Sequence, residues 1–120
     1  MTERDAAIKL VYKSVSGRAP FALEDFMQML KLWEVIPLHE KGQIIGGVLL
    51  KENEVHVGYG EKPKASIRPY IKEILGGVID KYGFAVTKVQ AGNPRGLRFC
   101  ERLGFVKIGE EGGTIRLRCD

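Results

Sequence analysis

FAVTKVQAGNPRGLRFCERLGF, which occupies residues 84–105, has the clearest structural pattern in the chain. Residues 84–90 alternate in polarity and are rich in valine and threonine, which predicts a β-strand. Asn93 and Pro94 then predict a helix start, because asparagine caps unpaired backbone N–H groups and proline suits the first helical position. The helix is predicted over residues 95–103.

This predicted helix has one apolar face and a defined end. Leu97, Cys100 and Leu103 recur at every third position, so they lie on one side of the helix. Gly104 can adopt the left-handed conformation that ends a helix, and Phe105 returns the chain to the core. The segment therefore predicts a strand followed by a short amphipathic helix.

Two helical patterns are predicted within residues 1–33. Thr2 and Asp5 have the spacing of a capping box at the start of the first helix. The apolar stripes are Ala7, Ile8, Val11, Tyr12 and Val15 in the first helix and Leu23, Phe26, Met27, Leu30 and Trp33 in the second. Residues 16–20 break the pattern between them. Both stripes predict core packing.

Three strand patterns follow, over residues 34–40, 43–51 and 54–60. Two-residue turns separate them, which predicts an antiparallel meander. Pro37 marks the first strand as an edge or bulged strand, because proline cannot donate to a sheet ladder. The second strand is apolar on both faces, so it is predicted to be central and covered on both sides.

A further helical pattern lies between the meander and the strand at 84–90. A helix is predicted over 66–81, with Gly83 ending it. Its two adjacent glycines, Gly76 and Gly77, predict close packing or a kink, because glycine weakens a helix interior. A strand, a helix and another strand in succession predict a right-handed parallel crossover. The chain closes with a hairpin over 106–118, with its turn at 110–113.

The composition is that of a soluble globular protein. The chain has 120 residues, of which 44% are hydrophobic and 28% charged, and this size predicts one domain. No apolar run approaches the length that spans a bilayer, and the first residues lack a signal-peptide core, so a cytoplasmic location is expected. The net charge of +4 suits an anionic ligand, but dispersed charges argue against nucleic acid. Cys100 and Cys119 lack metal-ligand spacing, and no metal is expected.

Asn93 and the Leu-Gly-Phe sequence at 103–105 resemble the C-terminal signature of the GCN5-related N-acetyltransferases (GNAT). The family carries a tyrosine seven residues after the asparagine, where this chain has Cys100. The order of elements is also similar to the GNAT fold without its usual first strand. The resemblance implies an α/β fold with a mixed α+β sheet in one domain, 1–120, made of N-terminal helices (1–33), antiparallel strands (34–60) and a crossover helix, strand, helix and hairpin (61–120).

The resemblance also implies acetyl-CoA as cosubstrate. The pantetheine arm would pair with the strand near Val57 and Gly58, where an N–H would stabilise the thioester oxygen. The phosphates would lie at the start of the following helix, where this chain lacks the glycines of the family pattern. The implied coenzyme contacts are Val57, Gly58, Lys62, Lys64, Ser66, Ile67, Arg68 and Asn93. The alternatives are a solvated basic helix start and an asparagine that only caps its helix.

Catalysis by direct attack on acetyl-CoA requires a base for the amine and a proton donor for the leaving thiolate. His56 is the first candidate base, because histidine exchanges protons near neutral pH, and Glu54, acting through water, and Glu40 are further candidates. Cys100 and Tyr59 are the candidate proton donors. The alternatives are a surface histidine and a cysteine that only packs in the core.

Three functions are compatible with these features. The first is an N-acetyltransferase that moves an acetyl group from acetyl-CoA to an amine of a small molecule or a protein. The second is an inactive GNAT-fold module with a binding or regulatory role, and the third is a nucleic-acid-binding domain. The expected partners are acetyl-CoA and an amine acceptor, no membrane is expected, and the sequence allows a homodimer.

Overall fold

The computed structural model describes residues 2–15, 21–60 and 63–120. The predicted break at 16–20 and the predicted coenzyme contact Lys62 lie outside these ranges. The helices are α1 (Glu3–Val15), α2 (Leu23–Met29), α3 (Arg68–Tyr82) and α4 (Pro94–Leu103), and the strands are β1 (Glu34–Glu40), β2 (Gln43–Lys51), β3 (Glu54–Tyr59), β4 (Ala85–Gln90), β5 (Val106–Glu111) and β6 (Thr114–Cys119).

The six strands form one mixed sheet in the order β1-β2-β3-β4-β6-β5. Strand β1 pairs antiparallel with β2, and β6 pairs antiparallel with both β4 and β5. Strands β3 and β4 are parallel and pair at Glu54 and Val86. The predicted α/β fold with an antiparallel meander and a parallel crossover is therefore confirmed. The sequence did not indicate that the last strand inserts beside β4.

The chain forms two compact units, Met1–Lys51 with His56–Ala65 and Glu52–Val55 with Ser66–Asp120. In the first unit, apolar side chains of α1, α2 and β2 form a buried cluster, and aromatic and aliphatic neighbours pack against it. The cluster is Ile8, Val11, Phe26, Leu30 and Leu49, and its neighbours are Tyr12, Phe21, Met27, Trp33 and Val35. The two helical stripes of the sequence thus supply the core that they predicted.

Helix α2 is shorter than its apolar stripe suggests. It ends at Met29, so Leu30 and Trp33 lie beyond it, although both still contact the core. The Arg4 guanidinium donates hydrogen bonds to the carbonyls of Leu30, at 2.6 Å, and Trp33, at 2.8 Å. A helix leaves its last carbonyls without intrahelical donors, and Arg4 supplies donors to the turns just after this helix. The apolar stripe extends past the end of α2 because the turns that follow also direct Leu30 and Trp33 toward the core.

The first two strands are as predicted from the sequence. Strand β1 lies at the edge of the sheet and contains both Pro37 and a register shift between Leu38 and His39. Residues 46–49 in the middle of β2 are all buried, as expected for a strand covered on both sides.

In the second unit, β4 and β6 each bury alternate side chains on one face. These are Ala85, Thr87 and Val89 on β4 and Ile115, Leu117 and Cys119 on β6. Gly83 ends α3 with φ of 91° and Gly104 ends α4 with φ of 106°, and both are left-handed. Glycine adopts this conformation without a Cβ clash, so the two predicted helix ends are confirmed.

Two predictions in the second unit are wrong in detail. A Cβ added to Gly76 or Gly77 would meet no atom within 4 Å outside the backbone of its own helix, so these glycines do not serve close packing, and the alternative of a kink stays a prediction. The final turn is Gly112-Gly113, with φ of 57° and 80°, rather than 110–113. The two adjacent left-handed glycines form the whole turn, so β5 extends to Glu111.

No helix in the described part of the chain is both long and apolar enough to cross a membrane.

Candidate functional site

The first candidate base, His56, contacts the aromatic side of the first unit. Its ring centroid lies 5.6 Å from that of Trp33, with the two ring planes at 49°. Trp33 packs against the buried cluster of α1 and α2, and the His56 side chain is half-buried. The imidazole therefore has an aromatic neighbour.

Gly58, on the same face of β3, gives room to helix α1. A Cβ at Gly58 would lie 2.8 Å from the Ser14 hydroxyl oxygen and 2.9 Å from a methyl carbon of Val11. At Gly60 it would lie 2.7 Å from a methyl carbon of Leu10. Helix α1 therefore fills the space beside the α-carbons of both glycines.

The rest of β3 in the first unit consists of Val57 and Tyr59, which are both half-buried. Tyr59 lies next to Gly46 of β2, where an added Cβ would be 2.7 Å from the Tyr59 Cα and in conflict with the Gly58 carbonyl oxygen. The glycine at 46 therefore lets β3 approach β2 closely.

A carboxylate accepts hydrogen bonds from two backbone N–H groups of the loop after β3. The Glu40 Oε2 atom accepts hydrogen bonds from the N–H of Lys64, at 2.9 Å, and of Ala65, at 3.1 Å. Glu40 ends β1, directly before the left-handed Lys41 and Gly42 of the β1–β2 turn. The sequence suggested Glu40 only as a base. The structure instead places it as an anionic acceptor for the loop, which no local sequence signal indicated because 24 residues separate the partners.

The first residue of α3 donates a hydrogen bond to a side chain that precedes the helix. The helix begins at Arg68, two residues after the predicted start, and the Ser66 hydroxyl oxygen accepts a hydrogen bond from the Arg68 N–H at 3.3 Å. Ile67 is the N-cap residue and is half-buried, whereas Ser66 and Arg68 are exposed. The helix starts late because Ser66 accepts from its first turn instead of joining it.

Glu54, the second candidate base, belongs to the second unit. It opposes Val86 in the parallel pairing of β3 with β4, and the Val86 N–H donates to the Asn53 carbonyl oxygen at 2.8 Å. Its side chain is half-buried. The strand pairing therefore fixes the position of its backbone.

Asn93 caps helix α4, as predicted. Its Oδ1 atom accepts a hydrogen bond from the Gly96 N–H at 3.1 Å. A Cβ at Gly96 would lie 3.0 Å from the Asn93 Cγ, so the glycine gives room to the capping side chain. The side-chain oxygen of Asn93 is therefore used in capping the helix. The role of Asn93 as a coenzyme contact stays a prediction.

Cys100 is half-buried on α4, and its environment disfavours the thiolate. Burial, and secondarily the Glu101 carboxylate, raise the pKa of the Cys100 thiol to about 11. A proton donor for a leaving thiolate should be at least as acidic as the thiol that forms, whose ordinary pKa is about 8.5. Proton transfer from Cys100 would be uphill by roughly two pH units. The partial burial of Cys100 thus supports a packing role for its side chain. Its role as a proton donor stays a prediction, and the raised pKa opposes it.

The predicted site residues fall into two groups. The first unit contains His56, Val57, Gly58 and Tyr59 on β3 and Lys64 in the following loop. The second unit contains Glu54, the α3 start with Ser66, Ile67 and Arg68, and the α4 residues Asn93 and Cys100. Sequence reasoning missed the contacts of Trp33 with His56 and of Glu40 with the loop, since both depend on long-range folding.

Comparison with known proteins identifies the architecture. No protein-family model matches the sequence, and no curated protein does either. Solved structures do match. A ribosomal-protein-alanine N-acetyltransferase from Brucella melitensis superposes with a TM-score of 0.69 at 15% identity, over 98% of this chain and 95% of its own.

Two further structures support the same conclusion. A GNAT family acetyltransferase from Elizabethkingia anophelis, solved with acetyl-CoA bound, gives a TM-score of 0.69 at 16% identity, over 93% of this chain and 88% of its own. The Pyrococcus horikoshii protein PH1933 gives 0.75 at 13% identity, over 99% and 91%. Identities this low establish the architecture alone. The chain therefore has the fold of the GNAT acetyltransferases, in a strongly divergent form.

Proposed function

We propose that this protein is an N-acetyltransferase that moves an acetyl group from acetyl-CoA to an amine of a small molecule or a protein. The observation that carries the proposal is the match of nearly the whole chain to GNAT acetyltransferases, one of them with acetyl-CoA bound. The backbone N–H groups near Val57 and Gly58 are the proposed donors to the thioester oxygen. His56 is the proposed base, with Glu54 as the alternative acting through water.

The reaction follows from these roles. The amine nitrogen loses its proton to the base and attacks the thioester carbonyl carbon, and the negative charge that develops on the oxygen is stabilised by the β3 amides. The C–S bond then breaks, the acetyl group stays on the nitrogen, and the coenzyme thiolate takes up a proton. Tyr59, or a water molecule that relays a proton from solvent, is the proposed donor, and the raised pKa of Cys100 opposes its loss of a proton.

The phosphates are proposed to bind the amides of Lys64 and Ala65. These two N–H groups converge on one anionic oxygen of Glu40, at 2.9 and 3.1 Å, which is the arrangement that a phosphate oxygen needs. Phosphate would displace the Glu40 carboxylate. The side chains of Lys64, Ser66 and Arg68 would then replace the contacts that the family makes with its glycine-rich backbone.

A second candidate is a GNAT-fold module without turnover. It is favoured by the same Glu40 contact, which fills the proposed phosphate donors, and by Cys100 in place of the family tyrosine. Such a protein would bind a partner or a ligand and leave the thioester intact.

Turnover separates the two candidates. The protein is incubated with acetyl-CoA and a panel of polyamines and peptides with free amino ends, and release of the coenzyme thiol is measured. We expect turnover that His56→Ala reduces by about 100-fold or more. His39→Ala is the matched control, since His39 is an exposed histidine of the same unit that pairs with Glu3 at 3.5 Å. Thiol release that both variants leave unchanged would exclude His56 as the base.

A further inference from the structure

The sheet of the second unit has an outward face that α3 and α4 do not use for their packing. The alternate residues of β4 and β6 that point away from the buried face are half-buried or exposed. We call this surface the open face and define it by two cross-strand rows, Val86, Arg118 and Val106 in one and Lys88, Arg116 and Gly109 in the other. Lys88 and both arginines are exposed, and Val106 is 66% exposed. The open face is thus both basic and partly apolar.

Two cations oppose each other directly on this face. Lys88 of β4 is the register partner of Arg116 of β6. Like charges in this position destabilise a sheet. Within the described ranges neither side chain forms an ion pair, and Glu111 lies in the next row, opposite Thr114. The stability of the sheet does not account for this pair.

The neighbouring strand gives room to one of these cations. A Cβ at Gly109 would lie 2.9 Å from Nη2 and 3.5 Å from Nε of Arg116, so the guanidinium lies over the Gly109 backbone. Gly109 is not among the left-handed glycines, so its backbone conformation does not require glycine. The missing side chain instead keeps the Arg116 guanidinium close to the sheet with its donors available.

In the other row, Arg118 already contacts a carboxylate of the chain itself. The Arg118 Nε atom lies 2.6 Å from Oδ1 of Asp120, while its guanidinium lies 4.0 Å from the centre of the Phe84 ring. Arg116 and Arg118 are two residues apart on one strand, or roughly 6.8 Å, which is also the spacing of alternate side chains in an extended peptide. A carboxylate on Arg118 and a second carboxylate between Lys88 and Arg116 would therefore match this spacing.

We propose that the open face binds an acidic polypeptide segment in an extended conformation. Carboxylates of the segment pair with Lys88 and Arg116, and its intervening side chains contact Val86 and Val106. A second copy of the chain does not fit with the same face, because cations would meet cations. Single-stranded nucleic acid fits less well, because Arg118 covers a face of the Phe84 ring and the site offers few cations for phosphates. The proposal is independent of acetyl transfer.

The test compares labelled probes by fluorescence anisotropy. The probes are a peptide of alternating glutamate and threonine, about eight residues long so that it spans the length of β6, its glutamine counterpart, and oligothymidylate. The test variant is Lys88→Gln with Arg116→Gln. The matched control is Arg98→Gln with Arg102→Gln, which removes two exposed arginines from α4 of the same unit.

We expect the glutamate peptide alone to bind and the Lys88 and Arg116 variant to weaken its binding about tenfold or more, as for paired interface charges. The control variant should change it less than about twofold. Equal losses in both variants, no binding of the glutamate peptide at millimolar concentration, or tighter binding of oligothymidylate through Lys88 and Arg116 would each overturn the proposal.

A second measurement guards against misfolding. Because the variant removes a like-charge pair, its melting temperature should equal that of the parent or rise by about 1–4 °C. A folded variant with weaker peptide binding supports the proposal. A clear fall in melting temperature would show that Lys88 and Arg116 contribute to the fold, and would contradict the reasoning from their repulsion.

Discussion

Replacing Glu40 by glutamine tests whether this carboxylate competes with the coenzyme phosphates. The Glu40 Oε2 atom accepts from the N–H groups of Lys64 and Ala65 at 2.9 and 3.1 Å. Glutamine keeps an oxygen acceptor of similar position but removes the charge. The change therefore isolates the charge from the shape of the side chain.

The size of the effect follows from these two hydrogen bonds. A hydrogen bond to a charged group contributes about 1.5–3 kcal/mol and a neutral one about 0.5–1.5, and the low ends apply because these bonds are exposed. Two weakened bonds cost the free protein at most about 2 kcal/mol, and solvent screening brings our expectation near 1 kcal/mol. We therefore expect the melting temperature to fall by about 4 °C.

The same free energy should reappear in coenzyme binding. In the proposed complex, the phosphate oxygens must displace the Glu40 side chain from both amides. In Glu40→Gln this internal contact is weaker by about 1 kcal/mol, so acetyl-CoA should bind roughly fivefold more tightly. Calorimetric titration with acetyl-CoA measures this directly. Glu3→Gln is the control, because Glu3 is an exposed carboxylate of the same unit and its loss changes the net charge equally. Unchanged or weaker binding in Glu40→Gln, with the expected fall in stability, would refute the competition.

Three further predictions concern the second unit. Gly76→Ala and Gly77→Ala should each stabilise the protein by about 0.5–1 kcal/mol in denaturant unfolding, because a Cβ at either position meets no atom within 4 Å outside the backbone of its own helix; a loss of stability would indicate a tight contact there. Asn93→Ala should destabilise by about 1 kcal/mol through loss of the cap, with Asn93→Asp close to the parent, and equal losses in both variants would contradict a capping role. Alkylation of Cys100 at pH 8, located by peptide mass spectrometry, should be about tenfold slower than alkylation of a free cysteine. The raised pKa lowers the thiolate fraction of Cys100 about 100-fold, and the higher nucleophilicity of its thiolate recovers about tenfold of that loss in rate. The rate should continue to rise with pH up to about 11, whereas a plateau near pH 9 would contradict the shift.

The sequence was most informative where local chemistry sets the backbone. Pro37 and the apolar run of β2 identified an edge strand and a central strand, and Gly83, Asn93 and Gly104 identified helix ends, because each depends on neighbours close in sequence. Of the errors at element ends, the one at α3 has a local cause and the one at α2 involves a contact that is distant in sequence. The Ser66 hydroxyl accepts a hydrogen bond from the first residue of α3, and the apolar stripe of α2 continues into turns to which Arg4 donates hydrogen bonds.

The candidate site was less predictable, because its contacts join distant parts of the chain. The Glu40 carboxylate and the Lys64 amide are 24 residues apart, and two strands with their turns separate Trp33 from His56 in the chain. No periodicity encodes such pairs. Gly58 illustrates the ambiguity, since a strand glycine indicates a close approach without indicating whether a ligand or, as here, a helix makes it.

Thermal unfolding with acetyl-CoA tests the proposed coenzyme binding most directly. A ligand present at a hundred times its dissociation constant adds about 2.7 kcal/mol, which for a chain of this size raises the melting temperature by about 10 °C. ATP at the same concentration controls for phosphate charge and should give a much smaller rise. An increase specific to acetyl-CoA is the predicted result, and an unchanged melting temperature at millimolar acetyl-CoA would contradict the acetyltransferase assignment.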